Sequence, residues 1–94
     1  YEVLMLEAGT TAQDLRLENP AQNACTFAMS LVLEDGEVLW EGEPIEPGEA
    51  FTRIELARAL EAGSYPAMLH YDCFSLEGGD PLNGADIKLT LEVN

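Results

Sequence analysis

The chain has 94 residues, enough for one domain with a single core, and 47% of its residues are hydrophobic, which argues against disorder. No run approaches the roughly 20 apolar residues that a membrane-spanning helix needs. The formal net charge of −14 argues against binding to nucleic acid or directly to an anionic membrane surface. A basic partner or a hard cation stays open, although solubility is the simpler explanation of the charge.

Short apolar segments alternate with polar residues at period two, and turn residues separate these segments along the whole chain. Gly9 ends the first segment, Asn19-Pro20 ends the second, and Asp35-Gly36 predicts a tight hairpin between the third and the fourth. The pattern predicts seven strands, near residues 2–6, 12–18, 24–33, 37–41, 50–57, 64–74 and 85–93.

Residues 49–62 fit two structures. Their Ala, Glu and Arg content favours a helix, whereas Thr52, Ile54 and Leu56 alternate as in a strand. We predict a strand over residues 50–57 that leads into a turn at Gly63, with a short helix as the alternative.

Seven short strands divided by turns predict an all-β fold, either a sandwich or a barrel. Of the two we predict an immunoglobulin-like antiparallel sandwich that occupies residues 1–94 as a single domain. The predicted core consists of the apolar residues on the inward faces of these strands. They are Leu4, Leu15, Leu17, Phe27, Met29, Leu31, Trp40, Ile54, Leu56, Leu60, Tyr65, Leu69, Tyr71, Ile87, Leu89 and Leu91.

Two cysteines, Cys25 and Cys73, allow one intramolecular disulfide. If segment 24–33 runs antiparallel to segment 64–74, the beginning of one lies opposite the end of the other, and both cysteines lie on apolar faces. A bridge would close a loop of about 48 residues and stabilise the fold by roughly 2–4 kcal/mol. The alternative is two buried free thiols. Two cysteines so far apart, without a CxxC motif, predict neither a zinc site nor a redox site, and no cofactor is expected.

Five short motifs follow one another along most of the chain. They are Asn19-Pro20…Asn23…Cys25…Phe27, Asp35-Gly36…Leu39-Trp40, Ile45…Pro47-Gly48, Leu60…Ala62-Gly63…Tyr65 and Leu82-Asn83-Gly84-Ala85. The set resembles the sandwich domain of uncharacterised secreted or lipid-anchored proteins of anaerobic Gram-positive bacteria. Residues 60–65 also resemble the turn before strand F in fibronectin type III and bacterial immunoglobulin-like modules, where the tyrosine packs at a corner of the sandwich.

The resemblance implies an exported protein, extracellular or anchored at the cell surface, and it brings no catalytic residue with it. The chain starts at Tyr1 rather than at Met, so we expect a trimmed chain whose signal peptide or lipid anchor would leave no trace here. Trp40 departs from the antibody pattern, because it follows a hairpin instead of lying mid-strand between two cysteines.

His70 is the only histidine and would share a strand face with Asp72. Any histidine-based acid–base chemistry must use His70. Ser30, Ser64 and Ser75 are conceivable nucleophiles, but none of them lies in a Gly-x-Ser-x-Gly context. An exposed polar pair on a strand is the simpler interpretation.

Acidic residues are concentrated between positions 34 and 49, with no basic residue among them. The run lacks the alternating Asp spacing of a compact calcium loop, and residues 77–86 form a second acidic cluster without ligand spacing. A solvated hairpin edge is the simpler interpretation of each, so no metal site is predicted.

Two features are candidates for a binding surface. Trp40 is either an aromatic platform on a strand edge or a cover for one end of the core. Residues 76–85 form the longest irregular stretch, and binding functions gather on such loops. The candidate surface consists of Trp40, Glu77, Asp80, Asn83 and Asp86.

These observations favour a non-catalytic interaction module outside the cytoplasm that binds a protein or a glycan at the cell surface. A purely structural spacer is the alternative. A small hydrolase or metal-dependent enzyme built around His70 is a third, weaker hypothesis.

Overall fold

The structure, a computed structural model, describes residues 2–94, so Tyr1 lies outside the described residues. Within that range the chain forms seven β-strands and no helix. The strands are β1 (Glu2–Leu6), β2 (Ala12–Glu18), β3 (Cys25–Leu33), β4 (Val38–Glu41), β5 (Ala50–Glu55), β6 (Gly63–Ser75) and β7 (Pro81–Val93). The all-β prediction is confirmed, and β5 is a strand rather than the alternative helix.

The strands form two sheets that pack face to face as a sandwich. One sheet has five strands in the order β1-β7-β6-β3-β4, and the other has only β2 and β5. Every neighbouring pair is antiparallel except β1 with β7, which run parallel from the pair Glu2 and Leu89 to the pair Leu6 and Val93. The antiparallel prediction therefore misses this one pair. The arrangement is compatible with an immunoglobulin-like fold.

The core lies between the two sheets, because one face of each strand is apolar. At the end of β7, Leu89, Leu91 and Val93 are buried, and the residues between them are not. Burying a leucine side chain fully stabilises a fold by roughly 1.5–3 kcal/mol, so this alternation holds β7 in its register. The larger core cluster joins Leu31 of the five-stranded sheet to Ile54 of the two-stranded sheet.

The predicted core divides into three groups. The residues confirmed as buried are Leu17, Met29, Leu31, Ile54, Leu56, Leu60, Leu89 and Leu91. Those packed against the core but only half-buried are Leu4, Leu15, Phe27, Trp40, Tyr65, Leu69 and Tyr71. Ile87 is half-buried as well and lines a surface cleft. The buried residues that the prediction missed are Leu6, Leu33, Leu39, Ile45, Ala67, Cys73 and Val93.

Leu39 shows why the prediction failed in β4. The alternation in this segment put Trp40 on the inward face and Leu39 on the outward face, but Leu39 is fully buried. The pairing of β3 with β4 shifts register between Leu31 and Val32. Such a bulge adds a residue to one strand and re-aims the side chains beside it.

The β6–β7 hairpin corrects a second prediction. Residues 76–85 were expected to be a loop, but β7 begins at Pro81, so only residues 76–80 form the turn. Pro81 and Gly84 are tolerated in a strand because Pro81 starts it and Gly84 lies at a bulge. A β-carbon at Gly84 would overlap the carbonyl oxygen of Tyr71, so the close approach of the two strands there requires glycine.

The buried amide side chains of Gln13 and Asn19 form hydrogen bonds with the backbone of the loops. Gln13 donates hydrogen bonds to the carbonyl oxygens of Glu7 and Thr10, both at 2.9 Å, and its own oxygen accepts one from the backbone nitrogen of Glu7 at 2.7 Å. Asn19 is fully buried, and its side-chain nitrogen donates hydrogen bonds to the carbonyl oxygens of Cys25 and Ile45. Both amides therefore hydrogen-bond to backbone groups of the loops, and Asn19 adds a second donor to the carbonyl oxygen of Ile45, which already accepts from the backbone nitrogen of Phe27.

Candidate functional site

The end of the sandwich where β6 turns into β7 carries most of the candidate surface. Cys25 at the start of β3 pairs with Ser75 at the end of β6, so the turns 19–24 and 76–80 lie at this same end, which we call the hairpin end. Glu77 and Asp80 lie in the turn 76–80, and Asn83 and Asp86 lie on β7. All four lie on the β6–β7 hairpin and all four are exposed, with Asp86 further along β7, opposite His70.

Two large apolar side chains stand beside these polar residues. Leu76 is 54% exposed and Leu82 is 50% exposed. The strand pattern did not point to them, because both fell inside the segment predicted to be a loop.

The turn itself is held by Ser75. Its hydroxyl donates to the carbonyl oxygen of Glu77 and accepts from the backbone nitrogen of Asp80, both at 2.9 Å. Gly78 and Gly79 have φ angles of 90° and 67°, which other residues rarely adopt. The sequence offered the hydroxyl of Ser75 as a conceivable nucleophile. In the structure this hydroxyl stabilises the turn.

Trp40 lies apart from the hairpin. It belongs to β4, which β3 and β6 separate from β7 in the sheet. Its ring meets Phe51 edge-on, with centroids 5.0 Å apart, and a β-carbon at Gly42 would lie 2.5 Å from it. Trp40 is half-buried. It covers the margin of the core, which was one of the two roles expected for it.

An apolar cleft opens beside the hairpin end, and we call it the aromatic cleft. It has a volume of about 320 Å³. The sheet of β2 and β5 is two strands wide and faces a sheet of five strands, so part of the inner face of the wider sheet is left uncovered. The cleft is lined by Phe27, Met29, Leu69, Tyr71 and Ile87, with Glu18, Pro20 and Asn23 at its border.

Phe27 and Tyr71 form the aromatic wall of this cleft. Their ring centroids are 4.7 Å apart and the rings are tilted by 32°. Both residues are half-buried. The sequence predicted both as core residues, because an alternation of period two shows which face of a strand is apolar. It does not show how wide the opposing sheet is, and so whether that sheet covers the whole face.

The first half of β7 has a strand on one side only. It pairs with β6 along its length, but β1 joins it only from Leu89 onward. Among residues 2–94, no strand lies on the other side of residues 81–87, which we call the open β7 edge. Residues 81–86 are all exposed.

His70 lies on the outer face of the five-stranded sheet between two carboxylates. Its Nδ1 is 2.5 Å from Oδ1 of Asp86, and its Nε2 is 3.2 Å from Oδ1 of Asp72. The hydrogen bond with Asp86 is the main cause that raises the pKa of His70; partial burial opposes it, and Asp72 reinforces it. Two carboxylate partners favour the ring with both nitrogens protonated.

Ser30 is the cross-strand partner of His70 on β3. Because both nitrogens of His70 face carboxylates, neither is directed to Ser30 as a general base would be. Within residues 2–94, no group of three or more histidine, cysteine and acidic side chains is arranged to hold a metal ion.

Some side chains of the acidic run 34–49 stabilise local structure. Oδ1 of Asp35 accepts a hydrogen bond from the backbone nitrogen of Glu37 at 2.9 Å, within the β3–β4 turn. Glu37 pairs with Arg58 through two contacts of 2.6 and 3.0 Å, and the hydrogen bond from Arg58 is the main cause that lowers the pKa of Glu37.

Cys25 and Cys73 lie on the same face of neighbouring antiparallel strands, as predicted. Phe27 is directly opposite Cys73, so the two cysteines are diagonal neighbours. Both are free thiols in the structure. Burial raises the pKa of Cys73 to about 11, and a hydrogen bond with Cys25 adds to the rise. The disulfide stays a prediction.

Comparison of the chain with models of known protein families finds no match, and no curated protein is significantly similar to it. A helix long and apolar enough to cross a membrane is not found among residues 2–94.

Proposed function

We propose that the chain is a non-catalytic interaction module, exported from the cytoplasm, whose hairpin end binds a protein or a glycan at the cell surface. The observation that carries the proposal is the exposure of Leu76 and Leu82, each at least half exposed, at the same end of the sandwich as the aromatic cleft. Apolar side chains grouped on one part of a small surface are typical of interaction sites.

The polar residues of the hairpin support the same proposal. Glu77, Asp80, Asn83 and Asp86 are exposed on the same hairpin as the two leucines, and protein interfaces combine apolar with polar residues in this way. The net charge of −14 favours partners that are basic or uncharged. Export rests on the resemblance stated for the sequence motifs.

The arrangement around His70 supports a non-catalytic role. Both ring nitrogens of His70 face carboxylates, Nδ1 that of Asp86 and Nε2 that of Asp72, so neither is directed at a substrate or a hydroxyl as a general base would be.

The test is a binding screen of the 94-residue chain against arrays of glycans and of secreted bacterial proteins. We expect a saturable partner whose affinity falls at least about tenfold in the double variant Leu76→Ser/Leu82→Ser. The matched control is Val3→Ser/Met5→Ser on β1, where the side chains are 53% and 62% exposed. Equal effects of the two variants, or no saturable partner, would contradict the proposal.

A structural spacer is the second candidate, and the parallel pair β1 and β7 favours it. Because the two strands run in the same direction, the start of β1 at Glu2 and the end of β7 at Val93 are offset along one axis. Such an arrangement suits a module joined to others in a row. A spacer would bind nothing in the screen described above.

A further inference from the structure

We propose that the open β7 edge and the aromatic cleft together accept one extended basic peptide segment of a partner protein, as an added β-strand. This inference rests on the proposed function and names the class of partner.

The backbone of the open β7 edge is the first part of the argument. An edge strand presents one row of N–H and C=O groups that no neighbouring strand pairs, and an extended peptide can add to that row. Residues 81–87 offer about 3.3 Å per residue for such an addition, before β1 occupies the edge from Leu89 onward. An added strand would therefore lie in line with β1.

The aromatic cleft is the second part. Ile87 belongs both to the open edge and to the wall of the cleft, so the two features adjoin. Alternate side chains of a strand point to the same face, and those of an added strand on the inner side would meet Ile87 and Tyr71. The cleft, at about 320 Å³, has room for apolar side chains.

Charge is the third part, and it selects the partner. Glu18 borders the cleft, and on the outer face next to the open edge the two carboxylates of Asp86 and Asp72 exceed the single positive charge of His70 between them. A second copy of the chain would bring another net charge of −14 and be repelled. A segment that alternates apolar with basic residues would place its apolar side chains against the cleft and its basic side chains beside the acidic groups of the outer face.

The probe is a synthetic peptide of about ten residues that alternates valine and lysine. Three control peptides isolate the requirements: one replaces lysine by glutamate, one groups the valines and lysines in two blocks, and one carries N-methyl groups on alternate backbone nitrogens. We expect saturable binding of the alternating peptide that weakens at least about tenfold with each control. Its affinity should also fall as salt rises.

Amide hydrogen exchange locates the binding. With the alternating peptide bound, we expect slower exchange of the β7 amides between residues 82 and 87, with unchanged exchange in β4 and β5. The variant Tyr71→Ala should weaken peptide binding at least about tenfold, while Val3→Ser should leave it unchanged. The exchange measurement on the unmodified chain keeps the proposal testable if the Tyr71 variant does not fold.

Protection at another strand edge, equal binding of the N-methylated peptide, or absence of binding would overturn strand addition. If the arrays still give a partner that depends on Leu76 and Leu82, the interaction module stands without strand addition. If the arrays and the peptides both fail, both proposals are wrong.

Discussion

The side-chain nitrogen of Asn19 donates a hydrogen bond of 2.9 Å to the carbonyl oxygen of Cys25, the first residue of β3. The same nitrogen donates to the carbonyl oxygen of Ile45 at 3.1 Å, and the amide oxygen accepts from Asn23 at 2.9 Å. Asn19 is fully buried. It therefore joins the turn 19–24 to the loop before β5 and fixes the border of the aromatic cleft.

Replacing Asn19 by alanine should lower the free energy of unfolding by about 2–4 kcal/mol, because the carbonyl oxygen of Cys25 loses its side-chain donor and that of Ile45 keeps only the backbone nitrogen of Phe27. Chemical denaturation measures the loss. The control is Asn23→Ala, which removes a single hydrogen bond from a half-buried side chain and should cost about 1 kcal/mol. If the two variants unfold at the same denaturant concentration, Asn19 does not have this role.

Leu39→Ala should cost roughly 2–5 kcal/mol, because the side chain is fully buried. Val38→Ala should cost less than about 1 kcal/mol, since Val38 is 43% exposed. Thermal or chemical denaturation of the pair tests the bulge between β3 and β4. The opposite order of the two costs would mean that β4 follows the simple alternation instead.

The contribution of His70 to stability should depend on pH. Its pKa in the folded chain is raised from the ordinary value of 6.5. The stabilisation is therefore fully present below about pH 6.5 and is lost as pH rises through the folded value. The difference in unfolding free energy between the natural chain and His70→Gln should shrink from pH 5.5 to pH 9.

The natural chain and His70→Gln carry the same other acidic groups. The pH dependence of those groups therefore cancels in the difference between the two unfolding free energies. A difference that stays constant, or that grows with rising pH, would show that Asp72 and Asp86 do not stabilise the protonated ring.

In the reduced, folded chain, Cys73 should react with iodoacetamide more slowly than Cys25. The thiolate is the reactive form, and burial raises the pKa of Cys73 to about 11. Mass spectrometry of the two cysteine peptides over time gives both rates. Equal rates, each matching that of the unfolded chain, would place both thiols in solvent.

The disulfide prediction has a separate test on the same pair. For chain purified under oxidising conditions and then unfolded, we expect alkylation only after reduction, with a monomeric mass. The physical reason is that the two cysteines are diagonal neighbours on the same face of adjacent strands. Alkylation without reduction would show that the thiols stay free, and export would then rest on the sequence resemblance alone.

Period-two patterning predicted the strands well where one face is buried, as at Leu89 and Leu91 in β7. It could not predict the bulge that turns Leu39 inward, because a bulge depends on the partner strand. It also predicted a loop at residues 81–85, because proline and glycine often form turns. Both residues are tolerated in this strand because of where it lies in the sheet, and that position depends on the tertiary fold.

The candidate site was predicted in part. Glu77, Asp80, Asn83 and Asp86 do lie on one hairpin, because they are close in sequence. Trp40 does not join them, since the sheet order separates β4 from β7. The aromatic cleft could not be predicted, because it follows from the unequal widths of the two sheets.

The parallel pairing of β1 with β7 also determines how the domain responds to a pulling force. Tension applied to Glu2 and Asn94 would slide the two strands past each other, so the hydrogen bonds between Glu2–Leu6 and the end of β7 would carry the load together. An antiparallel pair pulled at its open end would instead peel apart one bond at a time. We therefore expect single-molecule extension to give one abrupt rupture at high force, with the domain acting as a mechanical link that holds until it gives way at once.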